Sequence, residues 1–285
     1  VLLELRDKVT QLVISGLNDK PVVSFLRQFS APVKVEYQRP GSELGFLARY
    51  DQDGFVRWDA LQTMWVSQFD HRSGVVSSEP QDTLTSIAQQ ALTLNAADEK
   101  LLAASMLTVP SELYLFEQLR GFDVDGLLDA RDQAVRKAAT ENKDVWQELF
   151  HKYAAQDGFK VDADSMANRA LANIAFSYWC QSLAAQQDAA GLARLLEDRY
   201  GAADNLTDRR TVLSLVARLP ELDEQTRQRI LEDFYTQWQS QALVIDLWFN
   251  LQAQSPRSDV PALRALTSHP GFDRKNPNRV RSVYG

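Results

Sequence analysis

Residues Met166 to Leu183 read MANRALANIAFSYWCQSL, and how this run is placed decides the fold. Its apolar residues recur at three- and four-residue steps, which is helical spacing. They do not share one face. Leu171, Ile174 and Tyr178 make one stripe, and Phe176, Trp179 and Leu183 make another. A helix that is apolar nearly all round is buried between neighbours. The chain is therefore expected to stack helices on both sides of this one.

The same spacing recurs outward in both directions. Trp58, Leu61, Trp65 and Phe69 share a face, as do Val212, Leu215, Val216 and Leu219. Ile230, Leu231, Phe234 and Trp238 form a further stripe, with Glu232, Asp233 and Gln237 outside it. Gly121, Gly158, Gly201, Pro220 and Pro256 mark the expected breaks. Asp162, Asn205 and Asp223 suit N-caps, because their side chains accept from free helix amides. Amphipathic helices joined by short turns, some buried on two sides, read as an α-solenoid of the HEAT/ARM kind with degenerate repeats. The predicted fold class is mainly α, with the superhelix running from residue 39 to 285.

Residues 1–38 read differently. VTQLVISGL and PVVSFLRQF are β-rich, with Asn18 and Asp19 between them as a turn. They are expected to be the last strands of a small β-sandwich domain, and the chain to be a piece of a longer one at both ends. The stretch His71 to Asp82, HRSGVVSSEPQD, reads as a polar loop.

The 285 residues are 45% hydrophobic and 24% charged, as in ordinary globular proteins. A net charge of −7 and a pI near 5.1 argue against a phosphate-binding surface, so nucleic acid is not an expected partner. No stretch approaches the ~20 apolar residues of a membrane span, and the single Cys180, in an apolar run, reads as a core residue in a reducing, cytoplasmic setting. The three histidines, His71, His151 and His269, are far apart and lack a second His or Cys at metal-binding spacing; they read as surface or loop residues, and no metal is expected in this chain. There is no G-x-S-x-G motif and no glycine-rich phosphate loop. Asp123, Asp125 and Asp129, beside Arg131, Asp132 and Arg136, read as a solvated helix face. The search yields no catalytic residue.

At the C-terminal end stands NPNRVRS, Asn276 to Ser282. Pro277 suits the first turn of a helix and Asn276 its cap. Arg279 and Arg281, two positions apart, point to different sides. Residues alone leave two readings open: a capped surface helix with two solvated arginines, or one arginine anchoring the turn while the other projects into a cavity.

Three stretches together carry a resemblance: KPVVSFLRQFSAPVKVEY (Lys20 to Tyr37), LVIDLWFNLQAQSP (Leu243 to Pro256) and NPNRVRS. In this order and separation they resemble the C-terminal half of bacterial aminopeptidase N, a family of zinc metallopeptidases of the gluzincin class. Members use H-E-x-x-H and a G-A-M-E-N loop; neither is present here. The resemblance implies a non-catalytic part that encloses and shapes a peptide channel, with zinc and the catalytic domain as partner elsewhere in the parent. It implies that Arg281 reaches toward the peptide's C-terminal side or carboxylate, and that Asn276, Asn278 and Arg279 hold the turn that aims it. A free-standing helical-repeat interaction module is the alternative. An exposed apolar patch is expected where the catalytic domain packs.

Overall fold

A computed structural model describes residues 4–33, 35–37, 39–70, 79–154 and 158–285. Among them are fourteen α-helices and one short 3-10 turn. The first seven helices are α1 (Gly41–Tyr50), α2 (Gly54–Phe69), α3 (Glu79–Ala91), α4 (Ala97–Met106), α5 (Glu112–Gln118), α6 (Val124–Glu141) and α7 (Lys143–Tyr153). The second seven are α8 (Ala163–Ala185), α9 (Ala189–Ala202), α10 (Leu206–Arg218), α11 (Glu224–Trp238), α12 (Ala242–Ala253), α13 (Val260–Ser268) and α14 (Pro277–Tyr284).

The helices stack in two files. In one, α2 packs on α4, α4 on α8, α8 on α10, α10 on α12 and α12 on α14. In the other, α1 packs on α3 and α3 on α7, and further along α9 packs on α11. The result is the expected α-helical superhelix. The 23-residue α8 is its pivot. Leu171, Ala172, Ala175 and Tyr178 belong to a core built from α1–α8, while Phe176, Cys180, Leu183 and Ala184 belong to a second core built with the helices that follow. The two stripes read from the sequence are the two sides of this one helix. Tyr178 also stacks on Trp146 at 4.3 Å and donates its hydroxyl to the Leu107 carbonyl at 2.7 Å. None of the described helices is long and apolar enough to cross a membrane.

Local chemistry sets the helix starts. The side chains of Asp162, Asn205 and Asp223 accept from the amides of Ser165, Asp208 and Thr226, which caps α8, α10 and α11. Gly121 and Gly158 take positive φ of 61° and 81°, where a side chain is strained. Gly201 is not a break: it lies in the last turn of α9. Of the 71–82 loop, Glu79 to Asp82 form the first turn of α3, and residues 71–78, His71 included, lie outside the described residues. Cys180 is fully buried, and burial pushes its thiol well above the usual range, as suits a core residue.

The N-terminal segment departs from expectation. No strand occurs among the described residues. The chain bends at Asn18 and Asp19 as read, but the flanking segments form no ladder. A strand has to exchange its N–H and C=O groups with a neighbour, and PVVSFLRQF is interrupted by the 3-10 turn Arg27–Phe29, with Leu26, Gln28 and Phe29 at φ near 55°. That turn fastens the arm to α2: the Gln28 amide donates to Asp53 at 2.6 Å, and the Phe29 ring meets Phe55 edge-on at 4.9 Å.

Candidate functional site

The two sequence stretches near the C-terminus are one structural unit. α12 carries LVIDLWFN and α14 carries NPNRVRS, and they pack directly on each other. Asn276 starts α14: its carbonyl oxygen accepts from the amides of Asn278 at 3.0 Å and Arg279 at 3.4 Å, with Pro277 in the first turn.

Arg279 is 6% exposed and every edge of its guanidinium is used. Nε donates to the Asp246 carboxylate, Nη1 to the Gly271 carbonyl and Nη2 to the Ala242 carbonyl at 3.2 Å. The plane lies over the Phe249 ring at 4.8 Å. The planar fork of an arginine fits such a divergent set of acceptors; a lysine does not. Two further bonds lock the helix: Asn250 donates to the Ser282 carbonyl at 3.3 Å, and the Ser282 hydroxyl donates to the Arg279 carbonyl at 2.7 Å. Removing the cation leaves the Asp246 side chain, 13% exposed, without its counter-charge, and its second carboxylate oxygen is already buried with no hydrogen-bond partner.

Arg281 is on the other side. It is exposed, in the last turn of α14, and its side chain makes no hydrogen bond or ion pair with any described residue. Successive helix positions are about 100° apart, so residues two positions apart diverge by about 200°. Arg279 is thus the anchored arginine and Arg281 the exposed one. Asn278 is also exposed and Asn276 half-buried.

The turn between α13 and α14 is tight. The Gly271 amide donates to Nδ1 of His269 at 3.0 Å, and a Cβ on Gly271 would stand 2.4 Å from the Tyr235 hydroxyl. His269 is a loop residue, as read, in the turn that follows α13. Its ring is half-buried against Tyr235 at 4.6 Å, Trp248 at 5.2 Å and Phe249 at 5.7 Å. Burial, with help from the Arg279 charge, pushes its pKa down. His151, by contrast, is exposed on α7, beside Phe150 and Trp179. Among the described residues no three His, Cys, Asp or Glu side chains converge as a metal site.

Asp123, Asp125, Asp129 and Asp132 are exposed, as read for a solvated helix face, while the arginines beside them are tied down. Asp123 caps α6, Arg131 donates to the Pro110 carbonyl at 2.8 Å, and Arg136 pairs with Glu221 at 2.8 Å. Sequence reasoning also missed Asp246 and Gly271 as the partners that fix Arg279. The signal for the first was present, since Asp246 is the single charge in the apolar run ALVIDLWFNLQA.

Residues 41–285 match the family described as Domain of unknown function (DUF3458_C) ARM repeats. Three curated relatives named Aminopeptidase N align with nearly the whole chain. The Haemophilus influenzae protein is 30% identical over 100% of this chain and 32% of its own length. The Escherichia coli protein is 32% identical over 96% of this chain and 31% of its own, and the Caulobacter vibrioides protein 32% identical over 94% and 30%. The chain thus spans about a third of the length of these relatives. A solved structure, Legionella pneumophila aminopeptidase A in complex with aspartic acid, shares the fold with a TM-score of 0.75 at 22% identity, over 90% of this chain and 30% of that one. The chain belongs to the DUF3458_C ARM-repeat family, and nearly its whole length is similar to a part of bacterial aminopeptidase N.

Proposed function

We propose that the chain is the wall of a peptide channel in a zinc aminopeptidase, a cytoplasmic enzyme that removes N-terminal residues from peptides. The superhelix, residues 39–285, packs against the parent's catalytic domain and limits what reaches the reacting centre. That domain supplies the zinc and the glutamate base that activate water; in this chain the work is positioning. Neither nucleic acid nor membrane enters this reading.

One observation carries the residue-level part. The clamp on Arg279 spends one arginine to hold α14, and leaves Arg281 exposed and without a partner among the described residues. A free guanidinium forms paired hydrogen bonds to a carboxylate, which suits the C-terminal side of a bound peptide. Asn276, Asn278 and Arg279 set its direction.

The test is Arg281→Ala in the complete enzyme. A charge-assisted hydrogen bond contributes about 1.5–3 kcal/mol, so kcat/KM for a peptide should fall about 10- to 100-fold. Turnover of a small chromogenic alanyl substrate, which lacks the carboxylate, should change little. Equal effects on both substrates would reject the assignment. The chain alone should carry no zinc and release no N-terminal residue; stoichiometric zinc with turnover would overturn the wall reading itself.

A further inference from the structure

His269 caps the C-terminal end of α13 and begins the turn that delivers the chain to α14. Its Nδ1 accepts from the Gly271 amide at 3.0 Å, which places the ring proton of the neutral imidazole on Nε2. The carbonyl of the same Gly271 accepts from Nη1 of Arg279. One glycine therefore joins the imidazole to the guanidinium clamp, and its two bonds have opposite requirements of the ring. A neutral imidazole offers a lone pair to the amide. A protonated one offers a second N–H, so a donor faces a donor and two cations share one residue.

We propose that His269 is an acid-sensitive latch for the C-terminal helix: neutral, it holds the 269–276 turn through Gly271, and protonated, it releases that turn and loosens α14. The surroundings give the charged form little help. α11 presents Tyr235 and Arg227, α12 presents Trp248 and Phe249, the connection before α13 presents Arg257, and α14 presents Arg279. Both Arg227 and Arg257 are held by Glu224, whose pKa these partners and Gln228 pull down to about 2, so that carboxylate stays committed to them. Asp246 is engaged with Arg279 and offsets one of the two cations, not both.

The sign follows from linkage. The folded-state pKa of His269 lies below its ordinary 6.5, because burial and Arg279 disfavour the cation. The latch is fully present above 6.5, and its stabilisation is lost as pH falls from there through the folded value. The loss is independent of the channel reading, since it concerns how α14 is held and not what Arg281 touches.

The test is amide exchange in the whole chain from about pH 8 to about pH 5, corrected for intrinsic rates, alongside the His269 ring resonances. Protection at Gly271 and in α14 should fall by up to about tenfold per pH unit between the two pKa values, the slope of a single proton. α8 should hold its protection over the same range. His269→Asn keeps an acceptor near the Nδ1 position and cannot titrate, so its α14 protection should be flat. A variant that loses protection in the same window as wild type overturns the latch. So does a wild-type ring that titrates while Gly271 and α14 stay protected, a result that needs no variant to fold.

Discussion

The N-terminal arm and the helical stack are both rich in apolar residues, and they use them in opposite ways. In the arm, Val9 and Val13 are 86% and 75% exposed; in the stack, Trp65, Trp146 and Phe176 are fully buried. Hydrophobic content alone does not explain the difference. Each helix satisfies its own backbone and needs only a neighbour for one stripe of side chains. An extended segment needs a neighbour for its backbone as well as its side chains. Between Leu5 and Asp19 the arm has no strand partner and no place in a core among the described residues; it meets the body from Lys20, which pairs with Glu43 of α1 at 3.1 Å, through Val22 to the 3-10 turn. The arm thus exposes apolar side chains that the helical stack would bury.

The largest effect separating the two regions should come from Phe176→Ala. This ring faces the second core from the pivot helix α8 and meets Phe150 of α7 at 5.4 Å. Its loss removes contacts on which elements from both halves depend, and truncating a buried Phe costs about 3–5 kcal/mol. Urea unfolding followed by tryptophan fluorescence should show a midpoint shift of that size. A cost under about 1 kcal/mol would mean that the two cores are not coupled through α8, and the picture of a pivot would fail.

An intermediate effect belongs to Asn205→Ala. Its side chain caps α10 by accepting from the Asp208 amide at 3.0 Å and also donates to the Asp208 carboxylate at 3.0 Å. That carboxylate is buried and pairs with Arg199 at 2.7 Å and Asn173 at 2.9 Å, joining α8, α9 and α10. Removing a cap costs about 0.5–2 kcal/mol. The upper part of that range is expected, because a partner of a buried carboxylate goes with it. Hydrogen exchange should localise the loss to the first turn of α10; a loss spread over the whole stack would instead make Asn205 a core residue.

What was legible in the sequence divides along the same line. The superhelix, the double-sided α8 and the caps at Asp162, Asn205 and Asp223 depend on residues within a few positions of one another, and periodicity reports them. The bend at Asn18 and Asp19 is equally local. The strands around it were not decidable, because pairing depends on a neighbour that a single segment does not specify. At the site, the divergence of Arg279 and Arg281 follows from helix geometry. The identity of the anchor's partners does not: Asp246, Gly271 and Phe249 meet Arg279 only once α12 and α14 are side by side. His269 was illegible for the same reason, since its aromatic surroundings come from α11 and α12. Gly201 misled because glycine is tolerated in a final helical turn at a cost of only about 1 kcal/mol.

The smallest effect should come from the arm. Val13→Ser replaces a side chain that is 75% exposed and lies in no described core. Surface changes of this kind fall within about ±0.5 kcal/mol, so the unfolding midpoint should not move. Binding of an anionic naphthalene dye should nevertheless fall, because the run Leu12, Val13, Ile14 and Leu17 offers contiguous exposed apolar area. The two readouts are expected to part company in the arm and to move together in the stack, where Phe176→Ala lowers stability. A Val13→Ser variant that loses as much stability as Asn205→Ala would break the contrast, since the arm would then bury what it is seen to expose. An unchanged midpoint with unchanged dye binding would move the sticky surface elsewhere, to Phe46 and Tyr50 on the outer side of α1, whose rings lie 5.2 Å apart and are likewise exposed.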